Sequence, residues 1–171
     1  ARMNEDVEVV HYAITAMVEL FKEYDYRLQK IEKKYTNDPD DPVILEEYCD
    51  FLKEYLSQGF MEKQMEQIYR NQYTQLLLKQ LEQKVNLHTC VCLMENLMVQ
   101  RDFFLAEKVL KIMDQNWHRG EEYWIWKIRY LAERKMGKEL KQSLQALKEE
   151  HIYLSSRGKE ALGFWLDGSK K

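Results

Sequence analysis

Val7, Val10, Ile14, Met17, Val18, Phe21, Tyr24, Leu28 and Ile31 recur at steps of three and four, with Val18 beside Met17. That spacing puts them on one face of an α-helix, whereas a strand alternates its side chains at every second residue. The pattern predicts a helix from Asp6 to Tyr35, about 30 residues, which is long for a globular domain. Asn37-Asp38-Pro39-Asp40-Asp41-Pro42 holds both prolines of the chain and stops that helix. Asp41 suits the N-cap of the next helix and Pro42 its first position.

The remaining punctuation is sparse. Helix two is predicted from Pro42 to Ser57, with Val43, Leu45, Tyr48, Phe51, Leu52 and Tyr55 inward and Gly59 ending it. Phe60 to Val85 reads as a third helix with a weaker stripe, Met61, Met65, Ile68, Tyr69, Gln72, Leu76, Lys79 and Leu81, and Asn86 breaks it. His88–Gln100 and Phe103–Asn116 form a pair around a tight turn at Arg101-Asp102. Gly120 opens a helix that ends near Lys135-Met136-Gly137. Lys138–Glu150 is its partner, with Leu140, Leu144 and Leu147 inward, and Ser155 or Ser156 caps a last helix that includes Leu162 and Trp165. The tail from Asp167 onward is expected to fray. The fold class is therefore all-α, with about eight helices, and short loops make successive helices antiparallel.

Composition agrees with this. Six glycines and two prolines are too few for an all-β chain or a loop-rich α/β enzyme. Charged residues at 32% suit helices with wet outer faces, and 45% hydrophobic residues suffice for a core. A formal net charge of −3 gives no general electrostatic case for nucleic acid or an anionic membrane. No apolar run reaches the roughly 18 residues needed to span a bilayer. The three cysteines, Cys49, Cys90 and Cys92, make no disulfide framework and read as buried thiols of a cytoplasmic protein. The opening Ala-Arg-Met is what a domain cut from a longer protein would show.

Three helix pairs repeat a pattern. Tyr48-x-x-Phe51-Leu52-x-x-Tyr55 precedes Gly59, Met65 and Ile68. Cys90-x-x-Leu93-Met94-x-x-Leu97 precedes Arg101-Asp102-Phe103-x-x-Ala106, Leu110 and Met113. Trp124-x-x-x-Ile128-x-x-Leu131 precedes Leu140, Leu144 and Leu147. Tyr48, Cys90 and Trp124 are 42 and then 34 positions apart. Over about residues 43–150 this resembles the tetratricopeptide-repeat family, with Asp102-Phe103-Phe104-Leu105-Ala106-Glu107 as its best match. Where that family has a glycine in its first helix, this chain has Leu52, Met94 and Ile128. The resemblance implies a short, irregular, right-handed α-solenoid of stacked antiparallel helix pairs, following the long N-terminal helix of residues 1–36 and closed by a capping helix at 155–166. The expected organisation is one helical domain over residues 1–171.

Catalytic signatures do not emerge. His88-x-Cys90-x-Cys92 is the one metal-like cluster, but on a helix alternate positions splay by about 200° and cannot converge on a tetrahedron. His11, His118 and His151 are scattered. No G-x-S-x-G, G-x-G-x-x-G or P-loop is present. The adjacent pairs Glu46-Glu47, Glu121-Glu122 and Glu149-Glu150 read as solvated faces or helix-end charges. No catalytic, cofactor or metal residue is assigned.

One stretch stands out, Trp117 to Leu131, which carries three of the four tryptophans. Trp124, Ile128 and Leu131 form one stripe and Tyr123, Trp126 and Tyr130 another, together covering more than half the helix. Such a helix is sandwiched between neighbours. From Trp117 to Lys148 there are eight Lys/Arg against four Asp/Glu, a local basic excess. The expected contacts of a concave surface built from the first helices of each pair are Trp126, Lys127, Arg129 and Tyr130, with Gln100 and Arg101 from the preceding unit. The expected function is a non-catalytic protein-interaction or scaffold domain. The partner would be a protein or peptide, or an adjacent domain of the same chain, and neither nucleic acid nor membrane. The alternative is a C-terminal accessory or regulatory domain of a larger bacterial enzyme such as a glycosyltransferase. Eleven tyrosines and eight methionines also admit a homodimer.

Overall fold

The computed structural model describes residues 2–168. Among them are eight helices and no strand: α1 (Arg2–Asn37), α2 (Pro42–Ser57), α3 (Lys63–Gln83), α4 (Leu87–Gln100), α5 (Phe103–Trp117), α6 (Glu121–Glu133), α7 (Gly137–Glu149) and α8 (Ser156–Gly168). The chain divides into two compact units between Leu76 and Leu77, inside α3.

In the first unit α1 and α2 pack antiparallel. Asp41 caps α2 by accepting from the Val43 N–H at 2.8 Å, and Pro42 follows it as the sequence predicts. Tyr24 stacks on Tyr55 with centroids 5.0 Å apart, and its hydroxyl donates to Glu54 at 3.0 Å. Arg27 grips the same carboxylate with both terminal nitrogens, at 3.1 and 2.9 Å, while its guanidinium lies over Phe51. Lys34 meets Glu47 at 2.9 Å. These ion pairs are open to solvent and contribute little each. Burial of Leu28, Ile31, Leu45, Leu52 and the tyrosines carries the packing.

Three parts of the predicted core face water instead. The α1 stripe is covered only at Tyr24, Leu28 and Ile31; Val7, Val10, Ile14, Met17, Val18 and Phe21 are exposed. The cause is length, since α2 has 16 residues against 36 in α1. Val43 lies in the first turn of α2, beyond the reach of a neighbour, and is exposed. In α3 the predicted stripe is wrong at Met65 and Ile68, which are exposed. The same stripe holds at Leu76 and Leu81, which are buried, together with Tyr73 and Leu77, which it did not include.

The second unit contains a repetition finer than the sequence pattern suggests. α4 with α5 and α6 with α7 form helix pairs, and α6 also packs against α4, α5 and α8. Met94 of α4, Ile128 of α6 and Leu162 of α8 are each fully buried and lie 34 positions apart in succession. Cys90, Trp124 and Gly158 follow the same step and are also buried. Leu97 matches Leu131, Leu110 matches Leu144, and Met113 matches Leu147. The turns repeat too. α4 and α6 both end in a residue with positive φ, Arg101 at 57° and Lys135 at 56°. In both, the next N–H reaches back to the helix, Asp102 to Leu97 and Met136 to Leu131. α8 thus stands where the first helix of a third copy would stand. It runs through Asp167 and Gly168; the rest of the expected frayed tail lies outside the described residues.

Two substitutions test the turn chemistry. His151 ends α7 with φ 52°, a left-handed conformation that costs a residue bearing a Cβ. His151→Gly should raise the unfolding free energy by about 0.5–1 kcal/mol. Asp102→Ala removes the cap that accepts from the Leu105 N–H at 3.1 Å and should lower it by about 1 kcal/mol. Urea titration followed by circular dichroism reads both, and equal shifts in one direction would contradict the assignment.

Candidate functional site

α4, α6 and α8 together wall a groove of about 720 Å³ on the second unit. α4 contributes Glu95, Met98 and Val99, and α6 contributes Trp126, Arg129, Ala132 and Glu133. Lys135, held outward by its left-handed turn, and Trp165 of α8 complete it. The helical repeat explains the grouping: residues 126, 129 and 133 lie on one face of α6. Val99 is 61% exposed, so apolar surface stands open at the rim.

Trp126 is the groove's distinctive residue. It is 7% exposed, and its indole Nε1 is buried without a hydrogen-bond partner. A buried donor left unpaired costs roughly 1–3 kcal/mol. Arg129 lies over the Trp126 ring, its Cζ 5.1 Å from the centroid. At one end Arg101 approaches Glu133 at 3.7 Å.

The six residues singled out in the sequence separate. Trp126 and Arg129 meet in the groove. Lys127 and Tyr130 sit one step around α6 and line a smaller cleft of about 230 Å³ beside α5. There Lys127 Nζ covers the rings of Trp124 and Tyr123, and Tyr130 accepts from Arg134 at 2.9 Å. Gln100 accepts from Asn96 at 3.3 Å within α4. Arg101 is the turn residue after α4 and lies over Phe103. Both aromatic stripes of α6 are buried, so the stretch is chiefly core, with one edge facing the groove.

Two polar clusters were not legible in the sequence, because both join residues more than thirty positions apart. His118 is pinned between Asp114 at Nδ1 and Glu150 at Nε2, each at 2.5 Å, and the Trp124 indole donates to the His118 carbonyl at 2.7 Å. The two carboxylates hold the imidazolium, so its pKa lies above the ordinary histidine value. Glu121 accepts from the Ser155 N–H at 2.7 Å and the Ser155 hydroxyl at 2.9 Å, fixing the start of α8. These bonds, the backbone one first, hold its carboxyl below the usual range. Gly158 leaves room for that carboxylate, since a Cβ there would lie 2.4 Å from Glu121 Oε2. Glu122 pairs with Arg157. Glu121-Glu122 thus lies in the first turn of α6, as helix-end charges do, and is also engaged by the start of α8.

The cysteine cluster is an element of α4. His88 and Cys92 touch at 3.6 Å one turn apart, while Cys90 points elsewhere into the core and burial pushes its thiol up to about 11. No group of three or more His, Cys, Asp or Glu among the described residues is placed to hold a metal ion. No helix among them is long and apolar enough to cross a membrane.

The His118 cluster has a definite pH signature. A raised folded-state pKa means its stabilisation is fully present below the unfolded value of about 6.5 and is lost as pH rises through the folded value. Thermal melts of the wild type and His118→Gln from about pH 5.5 to 8.5 should differ most at the acid end and converge as pH rises. A difference constant with pH would overturn the assignment. Compared with protein-family models, with curated proteins and with solved structures, the chain matches none, so the functional reading rests on this geometry.

Proposed function

We propose that the chain is a non-catalytic protein-interaction module that takes a peptide segment of a partner in the groove of α4, α6 and α8. The observation that carries this is the unpartnered indole N–H of Trp126, set in a groove wall formed by three helices in 34-residue succession. A peptide brings carbonyl groups all along its length, and one of them would satisfy that donor once the Trp126 side chain, whose N–H is closed to solvent, turns toward the groove. Its apolar side chains would cover Met98, Val99 and Trp165. Arg129 and Lys135 against Glu95 and Glu133 give the groove charges of both signs, which fix register rather than attract a polyanion. The 34-residue step and the repeated turns support the tetratricopeptide-like reading, in which successive first helices form the recognition surface.

Selection of a phage-displayed random peptide library on the immobilised chain tests this. Selected peptides should bind Arg129→Glu at least about tenfold more weakly, or ~1.4 kcal/mol. Lys127→Glu, on the far side of α6, should change affinity by less than about twofold. Equal losses at both positions would move the site out of the groove, and a library yielding no binder would count against a peptide ligand.

A further inference from the structure

The N-terminal half of α1 continues a seam that its own unit leaves uncovered. Met3, Val7, Val10, Ile14, Met17 and Phe21 follow one another at steps of four and three, and Tyr24, Leu28 and Ile31 carry the same progression on. This is the seven-residue repeat through which two helices meet along their length. Tyr24, Leu28 and Ile31 lie buried under α2, whereas the six before them range from 84% exposed at Met3 to 40% at Phe21. Phe21 marks the handover: its ring lies 4.5 Å from Phe60, just beyond the end of α2.

We propose that a second copy of this chain covers the seam, with the two N-terminal halves paired antiparallel. The direction follows from the packing already present. α2 runs antiparallel to α1, from the Lys34–Glu47 pair at one end to Phe21 and Phe60 at the other. A partner α1 running the same way as α2 takes over the seam where α2 leaves it. A parallel partner would bring its own α2 onto the same face at the same level, and the two would collide.

The register is set by the seam itself. Antiparallel helices oppose one position of the heptad to the other. Val10 then meets the partner's Ile14, Val7 the partner's Met17, and Met3 the partner's Phe21. This single register uses all six exposed residues. Near the two-fold axis the flanking residues are Ala13 on one side, small enough to let its twin approach, and His11 on the other. Charge agrees: Glu5, Glu8, Glu19 and Lys22 occupy outer helix positions, and Asp6, which flanks the seam, would face the partner's Leu20. Apart from His11, which would face its own twin, no like-charged side chains oppose each other. The exposed parts of the six seam residues with Val18 and Leu20 amount to roughly 800 Å² per copy, on the order of one side of a standard interface.

Sedimentation velocity of the whole chain from about 1 to about 100 µM should show a species of twice the 20.8 kDa chain mass. Ile14→Asp should shift the association at least tenfold to higher concentration, while Thr15→Asp on the outer face should not. Cysteine pairing fixes the direction, because the native cysteines are all buried. Val7→Cys mixed with Met17→Cys should cross-link on oxidation, and neither variant should do so alone, the two sites being about 15 Å apart along the helix. Val7→Cys that cross-links with itself would mean a parallel pair and overturn the proposal, as would a monomer at about 100 µM.

Discussion

The second unit depends on the enclosure of α6. A helix carrying Tyr123, Trp124, Ile125, Trp126, Ile128, Tyr130 and Leu131 cannot stand in water on any broad face, and all seven are buried. Its apolar circumference demands neighbours on several sides, and α4, α5, α7 and α8 supply them. The polar clusters then act as fasteners around this helix. Glu121 in its first turn holds the start of α8, and His118 just before it ties the end of α5 to the end of α7. Trp124 does both kinds of work, with an apolar body in the core and an indole N–H on the chain just before the helix.

Much of this architecture is written in local sequence. The element count, the Asp41-Pro42 start of α2, the Arg101-Asp102 turn and both stripes of α6 follow from periodicity and cap chemistry, which need only neighbours in the chain. What lies beyond local sequence is which part of a stripe finds a partner. The α1 pattern is equally regular from Val7 to Ile31, yet only its last three members are covered, and the deciding quantity is the length of a different helix. The site shows the same division. The sequence marks Trp126 and Arg129, but it equally marks Lys127 and Tyr130. The choice between them needs the positions of α5 and α8. The 34-residue register of α8 is hidden because its counterparts to Trp124 and Trp126 are Gly158 and the exposed Glu160, so the similarity lies in the burial of Gly158 and Leu162 rather than in residue type.

Gly158 shows how one helix accommodates another's polar group. The position equivalent to it holds a tryptophan in α6 and a cysteine in α4, each filling core space. In α8 that space belongs to the Glu121 carboxylate. α8 therefore differs from α4 and α6 at the place where it meets its predecessor, and the difference exchanges apolar filling for a polar clasp.

The constant 34-residue step has a consequence for how such a chain can change. Because the turns inside α4–α5 and α6–α7 are of one kind, at Arg101 and Lys135, a block of that length running from one turn to the next could be duplicated while preserving the junction. The groove would then lengthen in quanta of one helix, each bringing a fresh set of side chains at positions equivalent to Val99 and Glu133. Reach and specificity could thus be altered separately, the first by duplication and the second by point substitution on an unchanged frame.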